Sequence, residues 1–264
     1  MIDVHCHLNF HSFEKDYDQM ISNAESAGVK TIINVGTKID SSEKAVELGK
    51  KYNNLYAIVG VHPHHADKLE KGWEDELENL CKNDKVVGIG ECGMDYYRYK
   101  SNDIVDPKLQ KEVFIKQIEL SHKLKLPLQI HNRLAGKEII DILINHKSYL
   151  LNPPGMFHCM SGDIDFLRKV LDLGFHVGFD GNITYKGIAP GETTELIDLV
   201  RYAPIDRIVT ETDSPFLTPE PKRGSRNVPE NVIIVGEFVA RTKHLTISNL
   251  DKITSKNAAE IFKL

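Results

Sequence analysis

Six side chains spread along the sequence have the types that bind divalent metal: His5 and His7 in "IDVHCHLNF", Glu91 in "GIGECGMDYY", His131 in "LQIHNR", His158 in "MFHC" and Asp213 in "VTETDSP". His62 in "GVHPHH" stands in a similar position, just beyond a short apolar run. A lone strand-end histidine is ordinarily structural, but so many at the ends of similar runs are not independent accidents. Four imidazoles with two carboxylates suit a pair of divalent ions that share a carboxylate and keep positions open for water and substrate. That is the chemistry of metal-assisted hydrolysis. A closed structural zinc site would use four ligands, usually with thiolates among them. Cys6, Cys92 and Cys159 do sit beside the candidates, but neighbours on a strand point to opposite faces. Strict alternation predicts Asp3, His5 and His7 on one face and Cys6 on the other, where it reads as a small buried hydrophobe.

The elements that must position these residues recur along the chain. Short apolar segments rich in β-branched residues lie at 2–5, 30–35, 55–60, 85–90, 126–130, 155–158, 175–180 and 207–210. Most are followed by amphipathic stretches of helical length, such as "DSSEKAVELGKKY" and "DPKLQKEVFIKQIELSHKLK". Strands alternating with helices imply parallel pairing through right-handed crossovers, and eight of them imply a closed (β/α)8 TIM-type barrel, expected as one domain over residues 1–264. An open doubly wound sheet would carry a glycine-rich turn after an early strand; here the first strand runs into His5 and His7. In a barrel the active site lies at the C-terminal ends of the strands, where the candidate residues stand. "SPFLTPEPKRG" reads as an extended loop and "TISNLDKITSKNAAEIFKL" as a last helix or two.

The chain has 264 residues, 41% hydrophobic and 27% charged, enough for a sizeable core. A net charge of −5 leaves no global footprint for nucleic acid, so a polyanionic substrate must be held by local cations or bound metals. The four cysteines form no Cys-x-x-Cys pair, which fits a reducing cytoplasm. The apolar runs, such as Val232 to Val235, are too short for a membrane span, and no targeting pattern opens the sequence. No membrane association and no obligate protein partner are expected.

Together "VHCHL", "GVHPHHA", "GIGECGMDYY", "LPLQIHNR", "FHCMSG" and "TETDSPFLTPEPKRGSRNVPENV" resemble the TatD-like family of metal-dependent deoxyribonucleases, within the amidohydrolase-type metal-dependent hydrolase superfamily. The resemblance runs over essentially the whole chain. It implies that His5, His7 and Asp213 hold one metal, that His131 and His158 hold the other, and that Glu91 bridges them. Many relatives in the wider superfamily use a carboxylated lysine as the bridge; the resemblance gives that part to Glu91. It also implies that His62 lines the substrate side. Asn9, Leu134 and Met160 depart from the family's usual residues, which leaves the ligands intact and substrate preference open.

The expected reaction is hydrolysis of DNA phosphodiester bonds, as an exonuclease on single-stranded ends, with Glu91, Asp213 and His62 in the catalytic group and Asp213 as general base. Arg133, Arg223 and Arg226 are candidates for bidentate phosphate contacts, Lys222 for a point charge, and Tyr96 with Tyr97 for stacking a terminal base. The two divalent ions are drawn from Mg, Mn, Zn, Co or Fe, which imidazole and carboxylate sites do not separate. The alternatives are hydrolysis of an ester, amide or lactone, including aminoacyl-tRNA esters, and a non-catalytic metal-binding scaffold.

Overall fold

The computed structural model describes residues 1–99 and 103–264. Eight parallel strands follow one another in chain order around a barrel: β1 (Ile2–Cys6), β2 (Thr31–Val35), β3 (Leu55–Val59), β4 (Val86–Asp95), β5 (Leu128–Arg133), β6 (Gly155–Phe157), β7 (His176–Phe179) and β8 (Ile208–Thr210). The helices are α1 (Tyr17–Ser26), α2 (Ile39–Lys51), α3 (Trp73–Leu80), α4 (Pro107–Leu124), α5 (Gly136–Asn145), α6 (Ile164–Asp172), α7 (Leu196–Tyr202), α8 (Val232–Thr242) and α9 (Ile247–Phe262). The expected (β/α)8 architecture is therefore present. The seam between β8 and β1 closes through a parallel bridge from Cys6 to Ser214, with His7 N–H donating to Ser214 O at 2.8 Å and Asp213 N–H to His5 O at 2.9 Å. Among the described residues no helix is long and apolar enough to cross a membrane.

The barrel interior is apolar at its lower end, where Val4, Ile33, Ile58, Val87, Met156 and Val209 pack together over Ala258, Ile261 and Phe262 of α9. Burying each large aliphatic or aromatic side chain contributes roughly 1.5–3 kcal/mol. Charged groups gather at the opposite end, where the strands finish. Helix starts are tied down locally. Asp106 caps α4 by accepting from Lys108 N–H, with Pro107 at its first position, and Asp163 caps α6 by accepting from Phe166 N–H.

Two ladders slip by one residue where the candidate ligands stand. On β4, Ile89 pairs with Leu128 but Cys92 with Ile130, so Gly90 and Glu91 form a bulge. A Cβ on Gly90 would lie 2.5 Å from Gln129 O, so only glycine allows this approach. Beyond the bulge β4 continues to Asp95, five residues further than the apolar run at 85–90 indicated. On β1, Asp3 pairs with Ile32 but Cys6 with Asn34. That slip overturns the strict alternation expected for Asp3. Val4 packs with the barrel interior, while Asp3 accepts from Thr212 N–H at 2.9 Å and from its hydroxyl at 2.7 Å. Cys6 packs outside, with Phe13, Ile21 and Ala24.

Candidate active site

Glu91 divides the histidines into two groups. Its Oε1 lies 2.8 Å from His131 Nδ1 and 2.8 Å from His158 Nε2. Its Oε2 lies 3.7 Å from both His5 Nε2 and His7 Nε2. Those two nitrogens are 3.0 Å apart, and each is 3.4 Å from Asp213 Oδ1. Donors about 2.0–2.1 Å from a tetrahedral ion stand about 3.3–3.4 Å from one another. The edges here, 3.0 to 3.7 Å, bracket that value, so the donor set fits a divalent ion without rearrangement of the backbone.

Hydrogen bonds on the far side of two rings fix which nitrogen faces the cluster. His7 Nδ1 donates to Val35 O at 2.8 Å, and His131 Nε2 donates to Asp95 Oδ2 at 3.1 Å. In the neutral rings the nitrogens turned toward Glu91 then carry the lone pair that ligation requires, and a cation binding at His131 displaces the Nδ1 proton that Glu91 otherwise holds. Asp95 also contacts His64 Nε2 at 3.0 Å and accepts from Tyr99 OH at 3.2 Å. From α4, Gln110 bonds both backbone groups of Asp95, and Gln117 bonds both backbone groups of Val61, just before His62. One helix thus anchors the ends of β3 and β4. Asp213 is held at φ +53°, a left-handed conformation that aspartate tolerates better than most residues.

The electrostatics follow from this crowding. Burial opposes ionisation of Glu91, but His158, His62 and the hydrogen bonds from His131 and His158 outweigh it and hold the carboxyl well below its usual range. Burial likewise opposes ionisation of Asp213, and His5 and His7 reverse it. Burial, with His158 beside it, pushes His5 down to about 4. For His131, burial is outweighed by Asp95 and Glu91, which raise it to about 9. Both carboxylates are therefore anionic and ready to bind cations.

Above the cluster lies a cavity of about 440 Å³ whose walls include Phe10, His64, Tyr99, Arg133, Asn182 and Phe216. The family model for TatD related DNase matches residues 2–263. The chain belongs to the TatD DNase family. Among its relatives, YabD of Bacillus subtilis, an uncharacterized metal-dependent hydrolase, is 35% identical over all of this chain and 99% of its own length. YcfH of Escherichia coli K12, also an uncharacterized metal-dependent hydrolase, is 32% identical over all of this chain and 96% of its own. The crystal structure of YjjV, a TatD homologue from Escherichia coli K12, superposes with a TM-score of 0.89 at 26% identity, covering all of this chain and 98% of that one. This chain is thus a TatD-family metal-dependent hydrolase, and its clustered histidines and carboxylates offer sites for divalent ions.

In this TatD-family chain the barrel brings His5, His7, Glu91, His131, His158 and Asp213 together, with His62 Nε2 3.5 Å from Glu91 Oε1. Arg133 lines the same cavity, its guanidinium over the Tyr97 ring at 4.7 Å. The other expected substrate contacts are elsewhere. Tyr96 turns toward α5, where its hydroxyl bonds Glu138 and it lines a separate cavity. Arg226 makes a bidentate pair with Asp16 and lies over Phe13, and Arg223 lies over Tyr185 at 3.9 Å. Lys222 bonds Asn231 at 2.9 Å. None of these four lines the cavity above the cluster.

Several site residues went unread in the sequence: Asp95, His64, Tyr99, Phe10, Phe216 and Glu211. Asp95 had a signal, since it follows Glu91 by four residues on one strand and shares its side. His64 follows His62 by two. The phenylalanines had none, because an apolar residue beside a strand end reads as core.

Proposed function

We propose that this chain hydrolyses phosphodiester bonds of DNA, working from single-stranded ends, with His5, His7 and Asp213 as one ligand set, His131 and His158 as the other, and Glu91 shared. The observation that carries the reading is the division of Glu91: each oxygen faces a different group of imidazoles. Bound divalent ions would supply an acidified water and neutralise the phosphate. Asp213 lines the cavity and, though mostly buried, keeps a side-chain exposure of 13%, so it can orient the attacking water and take its proton. His62, beside Glu91, faces the same space and can hold a phosphate oxygen. Arg133 offers a planar fork for a second phosphate oxygen, pre-positioned by its stacking on Tyr97.

Phe10, Tyr99 and Phe216 offer flat faces to nucleobases, and such stacking contributes about 1–3 kcal/mol per base without reading sequence. A cavity of about 440 Å³ encloses a strand end more readily than a duplex. The free cysteines suit a reducing cytoplasm, which we assign as the compartment. The deciding experiment is digestion of 5′- and 3′-labelled single-stranded DNA across Mg²⁺, Mn²⁺, Co²⁺ and Zn²⁺, with a chelator control. Metal-restored release of nucleotides from one end is the expected result. Intact DNA with every ion, alongside turnover of an aminoacyl ester, would replace this reading with ester hydrolysis.

A further inference from the structure

Glu211 follows β8 by one residue, is fully buried, and belongs to neither ligand set. Beside it lie two imidazoles, one from each set. The His5 and His158 rings stack at 4.0 Å with 11° between their planes. Each directs Nε2 toward Glu91, at 3.7 Å and 2.8 Å. The Nδ1 of each is buried and has no hydrogen-bond partner among the described residues. One ring nitrogen of each and one oxygen of Glu211 lie within 4.8 Å of one another, and Glu211 Oε1 is 4.0 Å from His158 Nδ1.

The carboxyl of Glu211 is only half used. Its Oε1 accepts from Cys159 N–H, while Oε2 is buried without a partner among the described residues. The fold makes room for it: a Cβ on Gly178 of β7 would lie 2.7 Å from Glu211 Oε2. A histidine that ligates through Nε2 carries its proton on Nδ1, and in a water-excluded interior that N–H requires an acceptor. A separation of 4.0 Å is too long for a direct hydrogen bond and right for one intervening water. A buried water typically takes about three partners. His5 Nδ1 and His158 Nδ1 are unpartnered donors among the described residues, and Glu211 Oε1, which has a lone pair beyond the one Cys159 N–H uses, is the oxygen 4.0 Å from His158 Nδ1.

We infer that Glu211 is a shared positioning carboxylate which, through one internal water, accepts the Nδ1 protons of His5 and His158 and so couples the two metal half-sites beneath the cavity. This rests on the ligand assignment proposed above. Substitutions of Glu211 are then felt at both ions together, because one side chain orients a ligand of each.

The test is metal affinity. Metal-free wild type and Glu211→Gln are titrated with Zn²⁺, and separately with Mn²⁺, in competition with a chelating indicator. The variant is expected to bind roughly 10–100-fold more weakly, the usual effect of losing a ligand's outer partner. Its metal-free form is expected to melt no lower than wild type, because the amide keeps the side chain's shape and an oxygen to accept from Cys159 N–H. Equal affinities, with or without a lower melting temperature, overturn the inference and leave Glu211 a packing residue. If the variant does not fold, wild type loaded with Zn²⁺ and labelled with ¹⁵N at histidine is examined by NMR. Exchange-protected Nδ1 protons on both His5 and His158 support the inference, and rapid exchange of either overturns it. A wild-type chain that takes up no ion overturns the ligand assignment as well.

Discussion

His131 is held from both ring edges by carboxylates: Asp95 Oδ2 accepts from its Nε2 at 3.1 Å, while its Nδ1 faces Glu91 Oε1 at 2.8 Å. Such an arrangement orients the ring and sets which nitrogen is free for a cation. Replacing Asp95 with Asn keeps the shape and removes the charge. We expect Asp95→Asn to lower kcat/KM on labelled single-stranded DNA by roughly 10–100-fold and to weaken metal retention in parallel, with the circular dichroism spectrum unchanged. Full activity with full metal content would show that the Asp95 contact is incidental.

Glu91 makes a different prediction because it faces both groups of imidazoles. Ions bound only by the folded state stabilise it by about 2.7 kcal/mol when present at a hundredfold excess over Kd. For a chain of this size that raises the melting temperature by roughly 5–10 °C. Chelation is therefore expected to lower the Tm of wild type by that amount and to leave Glu91→Ala unmoved. Differential scanning fluorimetry with and without EDTA measures both, and a chelator-sensitive Glu91→Ala would count against a shared ligand.

The arginines separate by what they already touch. Arg133 lines the cavity, faces Glu192 only at longer range and makes no salt bridge among the described residues, whereas Arg226 is committed to Asp16. Arg133→Ala should lower kcat/KM by roughly 10–100-fold through loss of a charged phosphate contact of about 1.5–3 kcal/mol. Arg226→Ala should leave turnover intact and cost about 1 kcal/mol or less of stability, as a partly exposed ion pair does. Steady-state kinetics and urea unfolding of both variants decide it. Equal kinetic losses would mean that the nucleic acid extends over Arg226.

The strands were legible to within a residue or two at most ends because short β-branched runs bounded by polar residues leave few alternatives. β4 was not: its stretch from Gly90 to Asp95 contains a bulge and two glycines, Gly90 and Gly93, pressed against the β5 backbone, rather than an apolar alternation. The cluster itself was legible because His, Glu and Asp at strand ends carry their chemistry in their types. Contacts across the barrel were not. Arg226 reads as a free cation until Asp16, 210 residues away, is seen beside it. Tyr96 and Tyr97 read alike, yet one turns toward α5 and the other supports Arg133. Asp3 was misread because alternation assumes an unbroken ladder, and β1 slips by one residue.

That slip sharpens a test at Cys6. Although it sits between two of the clustered histidines, Cys6 is fully buried among Phe13, Ile21 and Ala24 on the outer face of β1. Burial pushes its thiol well above the usual range, which also disfavours the thiolate that metals bind. Cys6→Ala is expected to leave metal content unchanged by elemental analysis. Loss of an ion in folded Cys6→Ala would place sulfur in the coordination shell.

The last prediction concerns stability at the opposite end of the barrel. His176 opens β7, is 2% exposed, and is pushed down to about 4 from 6.5 by burial and by the Arg207 guanidinium, with Glu260 and Asp206 opposing. The unfolded chain therefore binds a proton in a range where the folded chain does not. The contribution is intact above pH 6.5, is lost as pH falls toward about 4, and changes no further below that. At about 1.4 kcal/mol per unit the loss is about 3 kcal/mol at most. His176→Gln cannot take up the proton in either state, so its unfolding free energy should fall less steeply over this window. The metal cluster titrates equally in both proteins, and subtracting their urea-unfolding profiles in EDTA isolates His176. Parallel profiles from pH 7 to pH 4 would show that the buried ring is protonated as readily as a free one.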